Sequence, residues 1–182
     1  PNIAGKKVSK WPDGYRTFDS VPEMNRELLA RLNEYVKWDD TLWFLGDFCF
    51  GGHHLTPHWR DQINCQTIHW IRGNHDEHAF KYRSKFTSIQ DCWSGSIEGH
   101  QFVLYHYAQR VWYHNNKGVL HCYGHSHNNL ENEKWGRSMD VGVDAAYHLT
   151  GEYRPFSIEE VAEMLNKRPI KAVDHHTIKN AR

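Results

Sequence analysis

The sequence TLWFLGD occupies residues 41–47, and TIHWIRGNHD occupies residues 67–76. Each segment begins as a short apolar run rich in β-branched and aromatic side chains, which at this length favours a β-strand over a helix. Each run then gives way to a glycine followed directly by a side chain that can coordinate a metal, Asp47 in the first segment and Asn74 in the second. The two segments therefore predict strands that place polar residues at their carboxyl ends.

The same arrangement occurs twice in the second half of the chain. The apolar run 101–105 is followed by His106, and the run 118–123 is followed by a loop that contains His125 and His127. Ligand crevices in open α/β sheets lie outside the carboxyl ends of the strands. The four loops are therefore expected to converge on one place, with their glycines permitting tight turns and close backbone approach.

Helices are predicted between these runs. Ser20 and Glu23 have the spacing of a capping box, and apolar residues at steps of three and four extend the predicted helix to Val36. The further predicted elements are a helix over about 56–65, a strand at 138–143 and a helix over about 158–167. Helices that alternate with short strands predict an α/β or layered α+β domain.

Composition narrows the class of protein. The 182 residues suit one domain, and 22 basic residues balance 22 acidic ones, which argues against a broad basic face for nucleic acid. No apolar run approaches the roughly 20 residues of a membrane-spanning helix. The four cysteines lack the spacing of a zinc site or a disulfide framework, so free thiols and a cytoplasmic location are expected. The 15 histidines point to metal coordination or acid–base chemistry.

The candidate ligands are one carboxylate, one amide and three imidazoles: Asp47, Asn74, His106, His125 and His127. Such oxygen and nitrogen donors suit Mn, Fe, Zn or similar divalent ions. The two oxygens of Asp47 could bridge two ions, and two ions about 3.5–4 Å apart form a clamp for in-line displacement at phosphorus. His75, next to Asn74 in the chain, would lie beside the ions and could protonate a leaving oxygen.

The motifs GDFCFGG at 46–52, GNHD at 73–76, the strand-end His106 and GHSH at 124–127 resemble those of the calcineurin-like metallophosphoesterases in order and approximate spacing. The resemblance covers residues 41 to about 165, because SMDVGVDA at 138–145 and RPFSIEEV at 154–161 are also similar to small bacterial and phage members. It implies a single domain over residues 1–182, with two β-sheets sandwiched between helices and a dinuclear metal centre at the strand ends.

The resemblance also implies roles for individual residues. Asp47 bridges two divalent metal ions, His127 belongs to one metal site, and His75 is the catalytic histidine. The other metal site is completed by Asn74, His106 and His125. The implied reaction is hydrolysis of a phosphomonoester or phosphodiester, nucleotides included, by in-line attack of a metal-bound hydroxide. Arg72 either holds a phosphate oxygen or forms a structural salt bridge.

One motif of the family is missing. The resemblance implies a first strand that ends in a DxH motif, and the sequence begins at Pro1 without it. The chain is therefore expected to be truncated at its N-terminus. The residues Asp174, His175 and His176 could replace the missing ligands, but a solvated C-terminal segment is the preferred interpretation of that tail.

Two other functions stay open at this point. The missing ligands allow a catalytically impaired scaffold that keeps the fold and binds a protein partner. A nuclease or nucleotide phosphodiesterase is the other alternative, and the neutral net charge does not support it. Among the remaining histidines, His53, His54 and His58 are expected to be exposed, while His69 and His121 are expected to pack inside strands. The sequence does not indicate an oligomeric state.

Overall fold

The computed structural model describes Arg16, residues 18–130 and residues 135–171, and within these ranges it contains two β-sheets and four α-helices. The strands are β1 (Thr41–Phe44), β2 (Thr67–Ile71), β3 (Ser88–Gln90), β4 (Cys92–Ile97), β5 (His100–Tyr105), β6 (Leu120–Tyr123) and β7 (Ser138–Asp140). The helices are α1 (Val21–Tyr35), α2 (Thr56–Arg60), α3 (Val143–Thr150) and α4 (Ile158–Asn166). One sheet has the order β1-β2-β3 and is parallel; the other has the order β4-β5-β6-β7 and is parallel except for the β4–β5 pair. The predicted mixed α/β architecture is confirmed.

The first sheet is covered by side chains on both faces. In β2, Ile68 and Trp70 point into a core formed with α1 residues and Phe86, while Ile71 points into a second core on the opposite face. β1 alternates in the same way, with Leu42 on one side and Trp43 on the other. Because successive side chains of a strand alternate between faces, a strand buried on both sides has the nearly continuous apolar sequence seen here.

The two sheets share that second core. It contains Ile71 of the first sheet together with residues of β5, β6, β7 and α4, namely Phe102, Leu104, Leu120, Cys122, Met139, Val161, Ala162 and Leu165. The rings of Trp43 and Trp93 lie 4.4 Å apart between the sheets. This packing places the carboxyl ends of β1, β2, β5 and β6 at one edge, where the backbone N–H of Gly124 donates to the carbonyl of His106.

Several predicted boundaries were wrong. α2 ends at Arg60 rather than near residue 65, because the chain tightens into i→i+3 hydrogen bonds from Gln62 N–H to the Trp59 carbonyl onward. The strand predicted at 118–123 begins at Leu120, and the strand predicted at 138–143 ends at Asp140 because α3 begins at residue 143. The sequence analysis also missed β3, β4 and α3. In the described ranges no helix has the length and apolar character needed to cross a bilayer.

A single buried carboxylate joins the ends of β1 and β2. Asp76, which is 5% exposed, accepts hydrogen bonds from the backbone N–H groups of Asp47 (2.7 Å), Phe48 (3.0 Å) and Gly73 (2.8 Å), and from the indole N–H of Trp70 (3.0 Å). Hydrogen bonds to a charged acceptor are stronger than those between neutral groups. Asp76 therefore fixes the loop that carries Asp47 against the loop that follows β2.

Two glycines allow these loops to approach closely. A Cβ atom on Gly73 would lie 2.2 Å from Oδ1 of Asp47, and a Cβ atom on Gly46 would lie 2.1 Å from Nδ1 of His106. Gly46 also has φ +96°, a conformation that L side chains rarely adopt. Both positions thus require glycine for steric reasons, and Gly46 requires it for conformational reasons as well.

Replacement of Asp76 by alanine is expected to lower the free energy of unfolding by about 3 kcal/mol, because four buried or partly buried donors lose a charged acceptor. Urea denaturation followed by tryptophan fluorescence measures this change. The matched control is Asp61→Ala, which removes an exposed carboxylate that pairs with Lys85 at 2.7 Å and should change stability by less than about 1 kcal/mol. Equal effects of the two substitutions would contradict the structural role given to Asp76.

Candidate metal centre

Four of the five predicted ligands lie together at the shared edge of the two sheets. One ligand atom each from Asp47, His106 and His125 can be chosen so that all three lie within 4.8 Å of one another. The side-chain oxygen of Asn74 lies between the two imidazoles, 3.1 Å from Nε2 of His106 and 3.0 Å from Nδ1 of His125. These residues follow β1, β2, β5 and β6, which is the convergence that the sequence predicts.

His106 is held in one orientation by the backbone. Its side chain is 1% exposed, and its Nδ1 lies 2.7 Å from the carbonyl oxygen of Leu45, which can only accept a hydrogen bond. Nδ1 therefore carries the proton, and in the neutral ring Nε2 carries a lone pair. That lone pair faces the oxygen of Asn74 and, at 3.6 Å, Oδ2 of Asp47.

The candidate ligand atoms form a site suited to a cation. Nε2 of neutral His106 and the oxygens of Asn74 and Asp47 are all acceptors, so without a positive charge between them they repel one another. Divalent ions such as Mn, Fe or Zn are bound by this combination of imidazole nitrogen, amide oxygen and carboxylate oxygen. Fixing of a ligand imidazole by a hydrogen bond from its other nitrogen is also a common feature of metal sites.

His125 is more accessible than His106. It lies on the loop after β6 with φ +61°, and the ring of Tyr107 packs against it at 4.7 Å. Partial burial lowers the pKa of His125, and the neighbouring His106 lowers it further. A lowered pKa keeps the imidazole neutral near pH 7, which is the form that binds metals.

The conformation of Asp47 is constrained from several directions. Its φ is +56°, which is uncommon outside glycine, and its Oδ1 accepts a hydrogen bond from the backbone N–H of His75 at 3.0 Å. Non-glycine residues persist in this region only when the surrounding structure enforces it. Here the enforcing contact is the hydrogen bond from Asp47 N–H to Asp76.

His127 occupies a different environment. Its Nδ1 lies 2.6 Å from Oδ2 of Asp144, and Arg16 binds both oxygens of the same carboxylate. Burial alone would raise the pKa of Asp144, but the hydrogen bonds from Arg16 and His127 outweigh it and lower the pKa. His127 follows His125 by two residues in the chain. Among the described residues, however, it is not part of the group formed by Asp47, His106 and His125.

His75 lies at the surface beside the ligands. Its backbone binds Asp47, and its ring packs against Phe50 with 4.6 Å between ring centroids. Phe50 is 41% exposed, so the Phe50–His75 pair forms part of the accessible rim. This placement is compatible with the predicted contact between His75 and a leaving group.

Arg72 is engaged by a neighbouring strand end. Its Nε lies 2.7 Å from Oδ1 of Asp91, and its guanidinium group lies over the ring of Phe80 at 4.4 Å. This geometry favours the structural salt bridge of the two alternatives for Arg72. Phosphate binding by Arg72 stays a prediction.

The predicted exposure of His53, His54 and His58 and the predicted packing of His69 and His121 inside strands are confirmed. His121 is fully buried between the carbonyl of Val103 and the N–H of Gln109, and burial lowers its pKa to about 4. His69 is partly buried, where it contacts Ser88 and stacks on Trp43. Both are structural, as predicted. The alternative ligands at 174–176 lie outside the described residues.

Residues that support the site were missed by the sequence analysis, chiefly Asp76, Asp144 and Arg16. Asp76 is the last residue of the GNHD motif and Asp144 lies in SMDVGVDA, so both were within recognised segments. Their positions in those motifs gave the only signal. Arg16 has no motif around it, and its contact with Asp144 spans 128 residues of sequence.

Comparison with known proteins adds information on the fold alone. No family model matches the chain. The chain is 28% identical over 159 residues to the uncharacterized protein MJ1445 of Methanocaldococcus jannaschii, an alignment that covers 84% of this chain and 81% of that protein. It is also similar to the crystal structure of the protein of unknown function AQ665 from Aquifex aeolicus, with a TM-score of 0.60 and 18% identity over 80% of this chain and 87% of that one. The two-sheet α/β architecture is therefore shared with a solved structure.

Proposed function

We propose that this chain is a metal-dependent phosphoesterase with the two-sheet architecture of the calcineurin-like metallophosphoesterases. The observation that carries the proposal is the convergence of Asp47, Asn74, His106 and His125 from four separate loops. Oxygen and nitrogen donors that share one small volume, with their lone pairs facing one another, are suited to a divalent cation. The substrate class that follows is a small phosphate ester.

The residues divide into two sets of ligands. Asp47, Asn74, His106 and His125 would hold one divalent ion, and Asp47 together with His127 would contribute to holding another. When bound, such ions lower the pKa of a water molecule and neutralise the charge on phosphoryl oxygens during in-line displacement. The protein contributes fixed ligand positions, since the backbone carbonyl of Leu45 and the carboxylate of Asp76 hold His106 and Asp47 in place.

His75 would act on the leaving group. Its backbone N–H binds Asp47, so the side chain begins beside the ligands and extends to the accessible surface. A protonated imidazole in this position would donate a proton to the departing alkoxide oxygen, and proton transfer of this kind contributes roughly 10²–10⁴-fold to rates. The packing of Phe50 against the His75 ring limits the orientations that the ring can take.

Alanine at Asp47 or at His125 is expected to abolish hydrolysis of bis(p-nitrophenyl) phosphate with added Mn²⁺, because each substitution removes a ligand. Activity should fall at least about 10²-fold, since several kcal/mol of charge stabilisation depend on the bound ion. Release of p-nitrophenol and metal content per chain are measured on the same samples. His148→Ala is the matched control, because His148 is an exposed histidine of α3 and should leave both quantities unchanged.

Full activity in either ligand variant would refute the proposal. Less than one tightly held ion per intact wild-type chain would instead support the scaffold that binds a protein partner. A steep fall in substrate binding with increasing salt would indicate a nucleic-acid substrate, because phosphate contacts release counterions.

His75→Ala is expected to slow substrates with poor leaving groups far more than activated ones. An alkyl ester needs a proton on the departing oxygen, whereas p-nitrophenolate leaves without one, so kcat should fall about 10²-fold or more for the former only. Measured rates across a series of leaving groups check this difference. Metal content should stay at the wild-type value. A uniform decrease across the series would contradict the role of His75 as a proton donor.

A further inference from the structure

Arg16, Asp144 and His127 form a chain of side-chain hydrogen bonds. Arg16 donates from Nε to Oδ1 of Asp144 at 2.7 Å and from Nη2 to Oδ2 at 2.9 Å. Oδ2 also lies 2.6 Å from Nδ1 of His127. The side chains of Arg16 and Asp144 are only 11% and 7% exposed, whereas that of His127 is 33% exposed. The network therefore runs from a buried arginine to a partly exposed histidine, which follows His125 by two residues in the chain.

The chemistry of this network selects one tautomer. Arg16 donates to both oxygens of Asp144 and so holds it as a carboxylate, which can only accept hydrogen bonds. Nδ1 of His127 must then carry a proton, and in the neutral ring the lone pair is left on Nε2. The two-point contact from Arg16 fixes the plane of the carboxylate, which a lysine ammonium group could not do.

The loop of His127 is held from a second direction. The neighbouring Asn128 donates its backbone N–H to the buried carboxylate of Asp140 at 3.0 Å, and Asp140 also accepts from Gly142 N–H at 2.8 Å. His127 and Asn128 both have positive φ, at +47° and +62°. This backbone conformation is rare outside glycine, so the loop depends on these carboxylate contacts.

We propose that Arg16 and Asp144 are positioning residues that hold His127 with its proton on Nδ1 and so leave the Nε2 lone pair to coordinate the second metal ion. The Nδ1–H tautomer follows from the hydrogen bonds alone. Coordination of a metal ion by Nε2 rests on the proposed function. Arg16 lies in sequence before every motif of the centre and acts on His127 through Asp144.

The tautomer can be measured directly. The full chain, labelled with ¹⁵N-histidine and kept free of metal, is studied by NMR at pH 8, above the usual range of imidazole titration. The two ring nitrogens of neutral histidine give distinct signals, and a His127→Gln sample assigns them. His127 is expected to carry its proton on Nδ1 in the wild type and to shift towards the Nε2–H form in Asp144→Ala.

Two further variants make the experiment decisive. Asp144→Ala leaves Arg16 buried without its partner, so the double variant Arg16→Met with Asp144→Leu serves if the single variant does not fold; buried ion pairs replaced by apolar residues are often well tolerated. Glu160→Ala is the matched control, because it also removes a carboxylate bound by an arginine. Glu160 lies on α4 and pairs with Arg154 through Nη1 and Nη2, outside the hydrogen bonds of His127. The control should not change the His127 signals.

Zinc titration of the same proteins tests the consequence for metal binding. In the Asp144 variants the second Zn²⁺ should bind about 10–100-fold more weakly, while the first ion, held by Asp47, Asn74, His106 and His125, should bind as in the wild type. An Nε2–H tautomer in wild-type His127, or an unchanged tautomer after removal of Asp144, would overturn the proposal. The expected tautomer shift without any second ion in the wild type would support the positioning role and contradict the two-metal function.

Discussion

The buried carboxylate of Asp76 is the interaction on which the candidate centre depends. It accepts four hydrogen bonds from two different loops and from the indole of Trp70. A carboxylate buried in this way is stable only because each of its oxygens is satisfied by fixed donors. As a result the backbone at Asp47 is held in a conformation that it would not adopt by itself, and its side chain lies close to His106 and His125.

The centre is assembled mainly through backbone contacts. The carbonyl of Leu45 sets the tautomer of His106, the N–H of His75 binds Asp47, and the N–H of Gly124 binds the carbonyl of His106. Such contacts need short loops and no Cβ at Gly46 and Gly73. The same loops therefore provide both the candidate ligands and the groups that orient them, which is the preorganisation that a metal site would require.

His106 and His127 have different hydrogen-bond partners for Nδ1. His106 donates Nδ1–H to a neutral carbonyl group, whereas His127 donates it to a carboxylate that Arg16 also binds. A carboxylate partner makes an imidazole a stronger electron donor than a carbonyl partner does. Two ions bound at this centre would thus have ligands of unequal basicity, even where both ligands are imidazoles.

The sequence by itself determined which residues belong to strand ends and which of them are suited to bind a metal. The apolar runs before Asp47, Asn74 and His106 are long enough to predict strands, and periodicity and capping predicted α1 and α4 correctly. The sequence analysis failed at β4, where CWSGSI has too few apolar residues to indicate a strand, and at residues 138–143, where the strand stops after Asp140 so that α3 can begin.

Only the tertiary structure decided that Asp76 joins two loops, that Arg72 pairs with Asp91, and that His127 binds a carboxylate fixed by Arg16. The physical reason is that these contacts join groups that are distant in sequence, up to 128 residues apart in the case of Arg16 and Asp144. Local patterns of hydrophobicity and capping carry information about the nearest turns of the chain, whereas the partners of a buried charge are set by how the sheets pack.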